Sequence, residues 1–407
     1  MRTFLTKSPY LNFVLVIPVI NAIADITTNF FPENIISPGN IRATLIGIFM
    51  ILFILHNYPG TRVSRWIIVS LLYLLFLIPL SSRPGYSFNL YLKVVLSTLM
   101  YPVGYYFCIN QEIHRKINTS YLILALIVCL NIILANIFGF GSSDYLEGSF
   151  YFGATDVNIT KQLSIVLLIG PLIFMINNSR QERIFAILIF ITSLVFSILG
   201  LKRGVILALM TGFLIYSIMG AYKGAILRNI IIVAFILFIL FPLYQPILLP
   251  RYESRRTDIE QLEDEARRVE TREVIQAFKE GGMAHKFFGS QIFNSQDFFK
   301  TERALHIDYN VIFNGAGIVG LTIYVILYVL IILDNRKGYR FNKKDKYYRN
   351  LNAVFWSLIA ASLIISISGS IHAFTFRSML FFYLGALTRL QKEGAINKIR
   401  KLSTQET

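Results

Sequence analysis

The segment "ALHIDYNVIFNGAGIVGLTIYVILYV", residues 304–329, changes from polar to apolar along its length. Its second half is apolar and continues to Leu333, so that an almost unbroken apolar run begins at Gly315. A hydrocarbon core of roughly 30 Å requires a helix of about 20 such residues. The sequence therefore predicts a membrane-spanning helix that begins directly after a polar, titratable group containing His306 and Asp308.

Similar apolar runs recur along the whole chain of 407 residues, which is 55% hydrophobic and only 15% charged. The runs are continuous and do not alternate with polar residues, which favours membrane helices over a membrane barrel. The sequence thus predicts an all-α polytopic membrane protein. Twelve spans are predicted, near 10–28, 41–57, 66–82, 89–109, 120–140, 159–177, 184–201, 203–221, 229–249, 315–333, 352–371 and 375–390.

Basic residues lie on alternate connections between these spans, most densely in "DNRKGYRFNKKDKYYR", residues 334–349, and in the tail. By the positive-inside rule these connections and both termini are cytoplasmic. Residues 1–250 are then spans one to nine, residues 251–313 a large extracytoplasmic loop, and residues 314–407 spans ten to twelve with a basic loop and tail. The net charge of +16 follows from this topology, so that nucleic acid is not a predicted partner.

The beginning of the chain resembles a signal peptide that ends in Ala22-Ile23-Ala24. We favour an uncleaved first span, because many further spans follow it. Cys108 and Cys129 both lie in or beside spans and predict no disulfide. No cluster has the ligand spacing of a zinc site, and no metal or other cofactor is predicted.

The outer loop opens with "RYESRRTDIEQLEDEARRVETREVIQAFKEGG", residues 251–282, which predicts one or two helices that stop at Gly281 and Gly282. At 100° per residue, Arg268, Arg272 and Lys279 share one stripe, which could face an anion. A solvated face with balanced charges is the alternative reading. Farther along the chain, Gly315 and Gly317 are expected to interrupt the backbone before span ten.

Arg203 lies in "ILGLKRGVILAL", residues 198–209, which joins spans seven and eight with almost no linker. Lys202 and Arg203 are therefore expected at the outer membrane rim. A guanidinium matches the oxygens of phosphate and carboxylate groups, so that an anionic lipid headgroup is a candidate ligand. Alternatively, both side chains simply extend to the interface.

His306 also belongs to the outer side, where an imidazole could take a proton from a hydroxyl group. Asp308, Tyr309 and Asn310 supply polar neighbours, although a lone histidine at an interface is often structural. His285 and His372 are further histidines on this side.

Five motifs in this order resemble the superfamily of bacterial O-antigen polymerases and O-antigen ligases. They are "YFGATDVNITKQLSIVL" (151–167), "LKRG" (201–204), "TREVIQAF" (271–278), "FFGSQIF" (287–293) and "HIDYNVIFNGAGIVGL" (306–321). The topology, with a large outer loop between spans nine and ten, resembles this superfamily as well.

The resemblance implies a metal-independent, inverting glycosyltransferase that polymerises oligosaccharide repeat units linked to undecaprenyl diphosphate. By this resemblance Arg203 and Arg272 would clamp the diphosphate leaving group, and His306 would be the general base. Further substrate-binding residues are expected at Asn158, Arg255, Arg256, Arg268, Asp308, Tyr309, His372 and Arg377.

The resemblance also implies a bacterial inner membrane, a periplasmic active site, and a chain-length regulator and a flippase as partners besides membrane lipid. The alternatives are an O-antigen ligase with lipid A-core as acceptor, a capsule or exopolysaccharide polymerase, a polysaccharide transporter or flippase, and a membrane scaffold. No carboxylate lies in the middle of a predicted span, which weakens an ion-coupled transporter.

Overall fold

The structure is a computed structural model that describes most of the chain. The described residues are 9–28, 37–141, 150–155, 157–176, 179–221, 241–242, 245–246, 249–250, 253, 266–294, 305–369, 371 and 373–403. The helices in these ranges are α1 (Pro9–Thr28), α2 (Pro38–Asn57), α3 (Arg62–Leu77), α4 (Pro84–Thr98), α5 (Met100–Phe107), α6 (Gln111–Phe138), α7 (Thr160–Ile176), α8 (Arg180–Leu199), α9 (Arg203–Met219), α10 (Ala266–Glu280), α11 (Met283–Phe288), α12 (Asp308–Asn342), α13 (Lys346–Ile367) and α14 (Phe374–Ser403).

Seven described helices are long and apolar enough to cross a membrane, namely α1, α2, α3 with its 3-10 extension to Leu80, α6, α8, α12 and α13. The apolar helices α7 and α9 are slightly shorter. Across the described ranges there is no β-strand, and an isolated bridge joins Gly141 to Gly153. The protein is thus an all-α membrane protein. The predicted ninth span, 229–249, lies almost entirely outside the described residues.

The predicted fourth span, 89–109, is two helices, α4 and α5, that meet at Leu99. Pro102 explains the break, because proline lacks an N–H donor and its ring clashes with the carbonyl group four residues earlier, at Thr98. Sequence hydropathy does not register this interruption, since both halves are apolar.

Helix α14 forms the centre of the bundle, and its side chains from Phe376 to Thr388 are almost all buried. It packs closely on α5, where a Cβ at Gly104 would collide with the backbone of Phe382 and a Cβ at Gly385 with the backbone of Tyr101. Small residues allow two helix backbones to approach this closely, which is the usual basis of packing between membrane helices.

Asp25 connects four helices at the end of the bundle where α14 begins. Its carboxylate pairs with Arg42 of α2, accepts a hydrogen bond from Gln162 of α7 (3.0 Å), and accepts another from Thr375 of α14 (2.6 Å). Since α1 contributes Asp25 itself, these bonds fix α1, α2, α7 and α14 relative to one another at this end of the bundle.

The outer loop contains the helices α10 and α11, and α10 lies within the stretch 251–282 that the sequence predicts to be helical. Helix α10 ends at Glu280, directly before Gly281 and Gly282, and the Phe278 ring packs 4.7 Å from the Phe313 ring of α12, measured between centroids. Helix α12 is interrupted at Gly317, whose φ is 64°. The expected break is therefore present at Gly317 but not at Gly315, which is helical, and it lies within an element that already begins at Asp308.

Candidate functional site

The turn at Ser368 and Gly369, between α13 and α14, touches two segments that the sequence marks as functional. Gly369 has a φ of 79°, and a Cβ there would collide with the carbonyl oxygen of His306. A Cβ on Gly204 would lie 2.9 Å from the Ser368 hydroxyl. The backbone beside His306 and the first turn of α9, which carries Arg203, therefore flank the same turn.

Glu270 of α10 joins the outer loop to the beginning of α12. Its carboxylate accepts hydrogen bonds from the backbone N–H groups of His306 (3.1 Å) and Ile307 (2.9 Å) and from the Asn310 side chain (3.1 Å). Asn310 also donates to the Thr271 hydroxyl (3.0 Å). Because α12 has no side-chain cap of its own, Glu270 supplies the negative charge and the acceptors that a helix N-terminus favours.

Glu270 was not among the residues predicted from the sequence. Its side chain is only 4% exposed. A glutamate is rarely buried to this extent unless it has a charged or hydrogen-bonding partner. One signal was available: Glu270 precedes Val274 and Phe278 by one and two helical turns, and these side chains form the face of α10 that packs on the bundle. An acid on an apolar stripe indicates a specific partner.

Asp308 and Arg377, both expected to bind substrate, form an ion pair with each other inside the protein. Their side chains are 0% and 4% exposed. Asp308 also accepts a hydrogen bond from the Ile371 backbone N–H (2.7 Å). The guanidinium additionally donates to the hydroxyl groups of Tyr328 (3.0 Å), Ser362 (3.3 Å) and Ser366 (2.8 Å). The pair therefore holds the first turn of α12 against α13 and α14, beneath the surface.

Two lysines contact the same region, of which Lys161 was not predicted from the sequence and Lys202 was expected beside Arg203 at the membrane rim. Lys161 is 4% exposed, and its ammonium group donates to the carbonyl oxygen of Gly369. Lys202 donates to the side-chain oxygen of Asn158 (2.6 Å). Asn158, which was expected to bind substrate, is thus bonded to the residue that precedes Arg203.

The three residues predicted to be catalytic are exposed: Arg203 at the start of α9, Arg272 on α10, and His306 before α12. Arg268 is exposed on α10 as well. Within the described ranges neither Arg268 nor Arg272 forms an ion pair. Tyr309 is half-buried, and its hydroxyl donates to the Leu363 carbonyl group (2.8 Å). Arg255, Arg256 and His372 lie outside the described residues.

The Phe-Gly element at Phe288 and Gly289 packs on the break in α12. A Cβ on Gly289, whose φ is 73°, would collide with the backbone of Gly315 and Ala316, and the Ser290 N–H donates to the Asn314 carbonyl group (2.8 Å). Reciprocally, a Cβ on Gly317 would collide with the carbonyl group of Phe287. Two motifs that are separate in the sequence are therefore one interlocked backbone unit.

A small apolar cavity of about 70 Å³ lies between α3, α4, α12 and α14. Phe293 and Ile371 line its side nearest the outer loop, and Arg377 contributes the charged group. Arg377 therefore belongs both to the lining of this cavity and to the buried ion pair.

Comparison with known proteins adds no assignment. No protein-family model matches the chain. No curated protein matches it in sequence. In the part of the chain that the structure describes, no group of three or more His, Cys, Asp or Glu side chains could hold a metal ion.

The arrangement combines an exposed imidazole with exposed guanidinium groups, all on segments that buried contacts hold in place. Imidazole can accept a proton from a hydroxyl group, and guanidinium groups can bind and neutralise phosphate oxygens. The three segments connect through Glu270 and through the turn at Ser368 and Gly369. Their chemistry suits a hydroxyl nucleophile and an anionic leaving group.

Proposed function

We propose that the protein is an integral membrane glycosyltransferase that polymerises oligosaccharide repeat units linked to undecaprenyl diphosphate, on the periplasmic face of a bacterial inner membrane. The observation that carries the proposal is the convergence of the His306, Arg203 and Arg272 segments on a shared framework at one end of the bundle. The order of the motifs along the chain supports the same assignment.

In the proposed reaction His306 accepts the proton of an acceptor sugar hydroxyl group as its oxygen attacks the anomeric carbon of the donor. The bond between that carbon and the diphosphate oxygen breaks, and the diphosphate leaves with the bonding electrons. Arg203 and Arg272 stabilise the charge that develops on the leaving group. A single displacement inverts the anomeric centre. The exposure of all three side chains supports roles in which they contact substrate.

The Asp308–Arg377 pair has a different role in this proposal. Both side chains are buried and hydrogen-bonded to the protein, so that they position the first turn of α12, which follows His306. The wider set of predicted substrate contacts, Arg268, Tyr309 and Asn158 among them, remains part of the proposal. A chain-length regulator and a flippase are the partners that it implies.

The test is a lipopolysaccharide gel of a strain that lacks the gene and is complemented with wild type, His306→Ala, Arg272→Ala or Arg203→Ala. We expect deletion and all three variants to reduce the ladder to core plus a single repeat unit. Arg340→Ala, an exposed arginine at the far end of α12, is the matched control and should restore the ladder. Immunoblots establish that all variants accumulate equally.

The other outcomes identify the alternatives. A deletion strain with core alone would indicate the ligase, and an unchanged ladder would redirect the assignment to capsule polymerisation or transport. A full ladder with His306→Ala would refute the general-base role. The purified protein in nanodiscs provides the chemical test, since polymerisation of lipid-linked repeat units must release undecaprenyl diphosphate, and transport must not.

A further inference from the structure

The short helix α11 and the adjacent face of α10 present large apolar side chains outward. Met283, Phe287 and Phe288 are 68%, 44% and 48% exposed, and Ile275 of α10 is 44% exposed. Removing such side chains from water is favourable. An apolar patch of this kind on a segment outside the membrane-spanning helices indicates a partner surface.

The depth of α11 follows from its contact with Gly317. The α12 segment from Ile318 to Leu333, directly before Asp334, is helical and apolar. At 1.5 Å per residue its length is about 24 Å, which is less than the roughly 30 Å of a hydrocarbon core. Gly317, at the outer end of this segment, therefore lies near the edge of the hydrocarbon. Because the Phe287 carbonyl group packs directly on Gly317, α11 lies at the same depth.

Surfaces that must face lipid adjoin the patch. Ile318 follows Gly317 and is 44% exposed on a membrane-spanning helix. On the other side, Gln291, just after α11, accepts a hydrogen bond from the Ser82 backbone N–H (2.7 Å). Ser82 lies two residues after Leu80, which is the last residue of the α3 span. The Leu80 side chain is 63% exposed. The apolar patch is thus flanked by the lipid-facing surfaces of two spans.

Two lysines beside the patch suit a phospholipid surface, and the nearest acid in the sequence, Glu280 at the end of α10, accepts a hydrogen bond from Gln276. Helix α11 contains no acidic residue. The ammonium group of Lys286 lies 6.0 Å from the centroid of the Phe278 ring, and Lys279 is exposed on α10. Lysine stems cover apolar surface while their ammonium groups reach the headgroups, and basic residues at this level attract anionic lipids.

We propose that α11 is embedded in the outer leaflet of the membrane, with Met283, Phe287 and Phe288 among the acyl chains and Lys279 and Lys286 at the headgroups. The partner of this surface is the phospholipid of the same bilayer. Through the interlocked backbone at Gly289 and Gly317, the leaflet supports the outer loop that carries α10. This inference is independent of the chemistry that the protein performs.

The test is nitroxide scanning of the full-length protein in nanodiscs of phosphatidylethanolamine and phosphatidylglycerol. Cys108 and Cys129 are buried and free, and both are replaced by Ala before single cysteines are introduced at Met283, Phe287 and Phe288. Collisions with oxygen report a lipid environment, whereas collisions with a water-soluble nickel chelate report water. Gln276→Cys and Glu280→Cys, on the exposed face of α10, are the matched aqueous controls.

We expect the three labels on α11 to collide several-fold more with oxygen than with nickel, and the two controls to show the reverse. Nickel accessibility on α11 equal to that of the controls would overturn the proposal, because the patch would then face water. Low accessibility to both reagents would also overturn it, since another chain segment or a second copy would then cover the patch.

A second variant avoids dependence on the label. Phe288→Trp preserves an aromatic side chain, and its fluorescence in nanodiscs is compared with that of the parent, which has two tryptophans. We expect brominated phospholipids to quench the additional emission. Emission that is quenched by aqueous iodide but not by brominated lipid would contradict insertion.

Discussion

The carboxylate of Glu270 accepts a hydrogen bond from the backbone N–H of His306 at 3.1 Å. This bond joins α10, which carries Arg272, to the residue proposed as the general base. Glu270 and His306 are 36 residues apart in the sequence, and residues 295–304 between them lie outside the described part of the chain. The relative placement of Arg272 and His306 therefore depends on a buried contact that neither residue makes through its own side chain.

Replacing Glu270 by Ala should release α10 from the beginning of α12. Three donors lose their acceptor, and each buried donor left unpaired costs roughly 1–3 kcal/mol. We expect faster hydrogen exchange in peptides covering α10 and residues 305–311, measured by mass spectrometry on the purified protein.

In the polymerisation assay Glu270→Ala should lower kcat by about 10²-fold, because small misplacements of catalytic groups have effects of this size. Glu280→Ala is the control, since Glu280 accepts a hydrogen bond from Gln276 at the exposed end of the same helix. Unchanged exchange in Glu270→Ala would contradict the coupling, whatever reaction the protein catalyses.

Gly369→Ala should destabilise the turn beside His306. The left-handed conformation costs a residue with a Cβ about 1–2 kcal/mol, and the collision with the His306 carbonyl group adds to this. We expect a lower midpoint of thermal unfolding in detergent and a shortened ladder in cells. Gly60→Ala, where a Cβ meets open space, should change neither measurement. Wild-type behaviour of Gly369→Ala would mean that the turn does not constrain His306.

Breaking the ion pair with Asp308→Asn or Arg377→Met should be strongly destabilising. Removal of one partner leaves the other group buried without compensation, which costs about 3–5 kcal/mol. Thermal unfolding in detergent measures the loss, and the two single losses should not add in the double variant.

The control for this prediction is Arg115→Met, which breaks the pair with Glu182, whose two side chains are 42% and 41% exposed. It should cost no more than about 1 kcal/mol, because solvent screens exposed pairs. If Arg377→Met instead abolished polymerisation at normal stability, the substrate-binding role predicted from the sequence would gain support.

Gly104→Ala and Gly385→Ala should each disturb the packing of α5 on α14. An added methyl group meets backbone atoms at both positions, and overpacking of a close interface costs about 1–3 kcal/mol. Unfolding midpoints in detergent should fall for both variants. Gly47→Ala, where an added Cβ would face open space on α2, is the comparison. An equal fall of its unfolding midpoint would show that the loss of stability does not come from the close packing of α5 on α14.

The sequence pointed to Arg203 and His306, whose roles stay a prediction, because their positions are unusual for polar residues. Arg203 at a tight hairpin and His306 before an apolar run are polar groups at membrane boundaries, and such groups need a local reason. Glu270 and Lys161 escaped prediction for the opposite reason. A glutamate in a charged helix and a lysine near the beginning of a span look ordinary until their partners, the His306 backbone and the Gly369 carbonyl group, are known.

The amino-acid sequence was sufficient to predict a bundle of membrane helices, because continuous apolar runs of this length form helices in lipid. It also determined the stop of α10 and the break at Gly317, which follow from the local freedom of glycine. Tertiary structure alone decided that Asp308 pairs with Arg377 and that Glu270 caps α12. These contacts join segments that are far apart in the sequence. Whether a buried charge finds a partner therefore depends on how the helices pack.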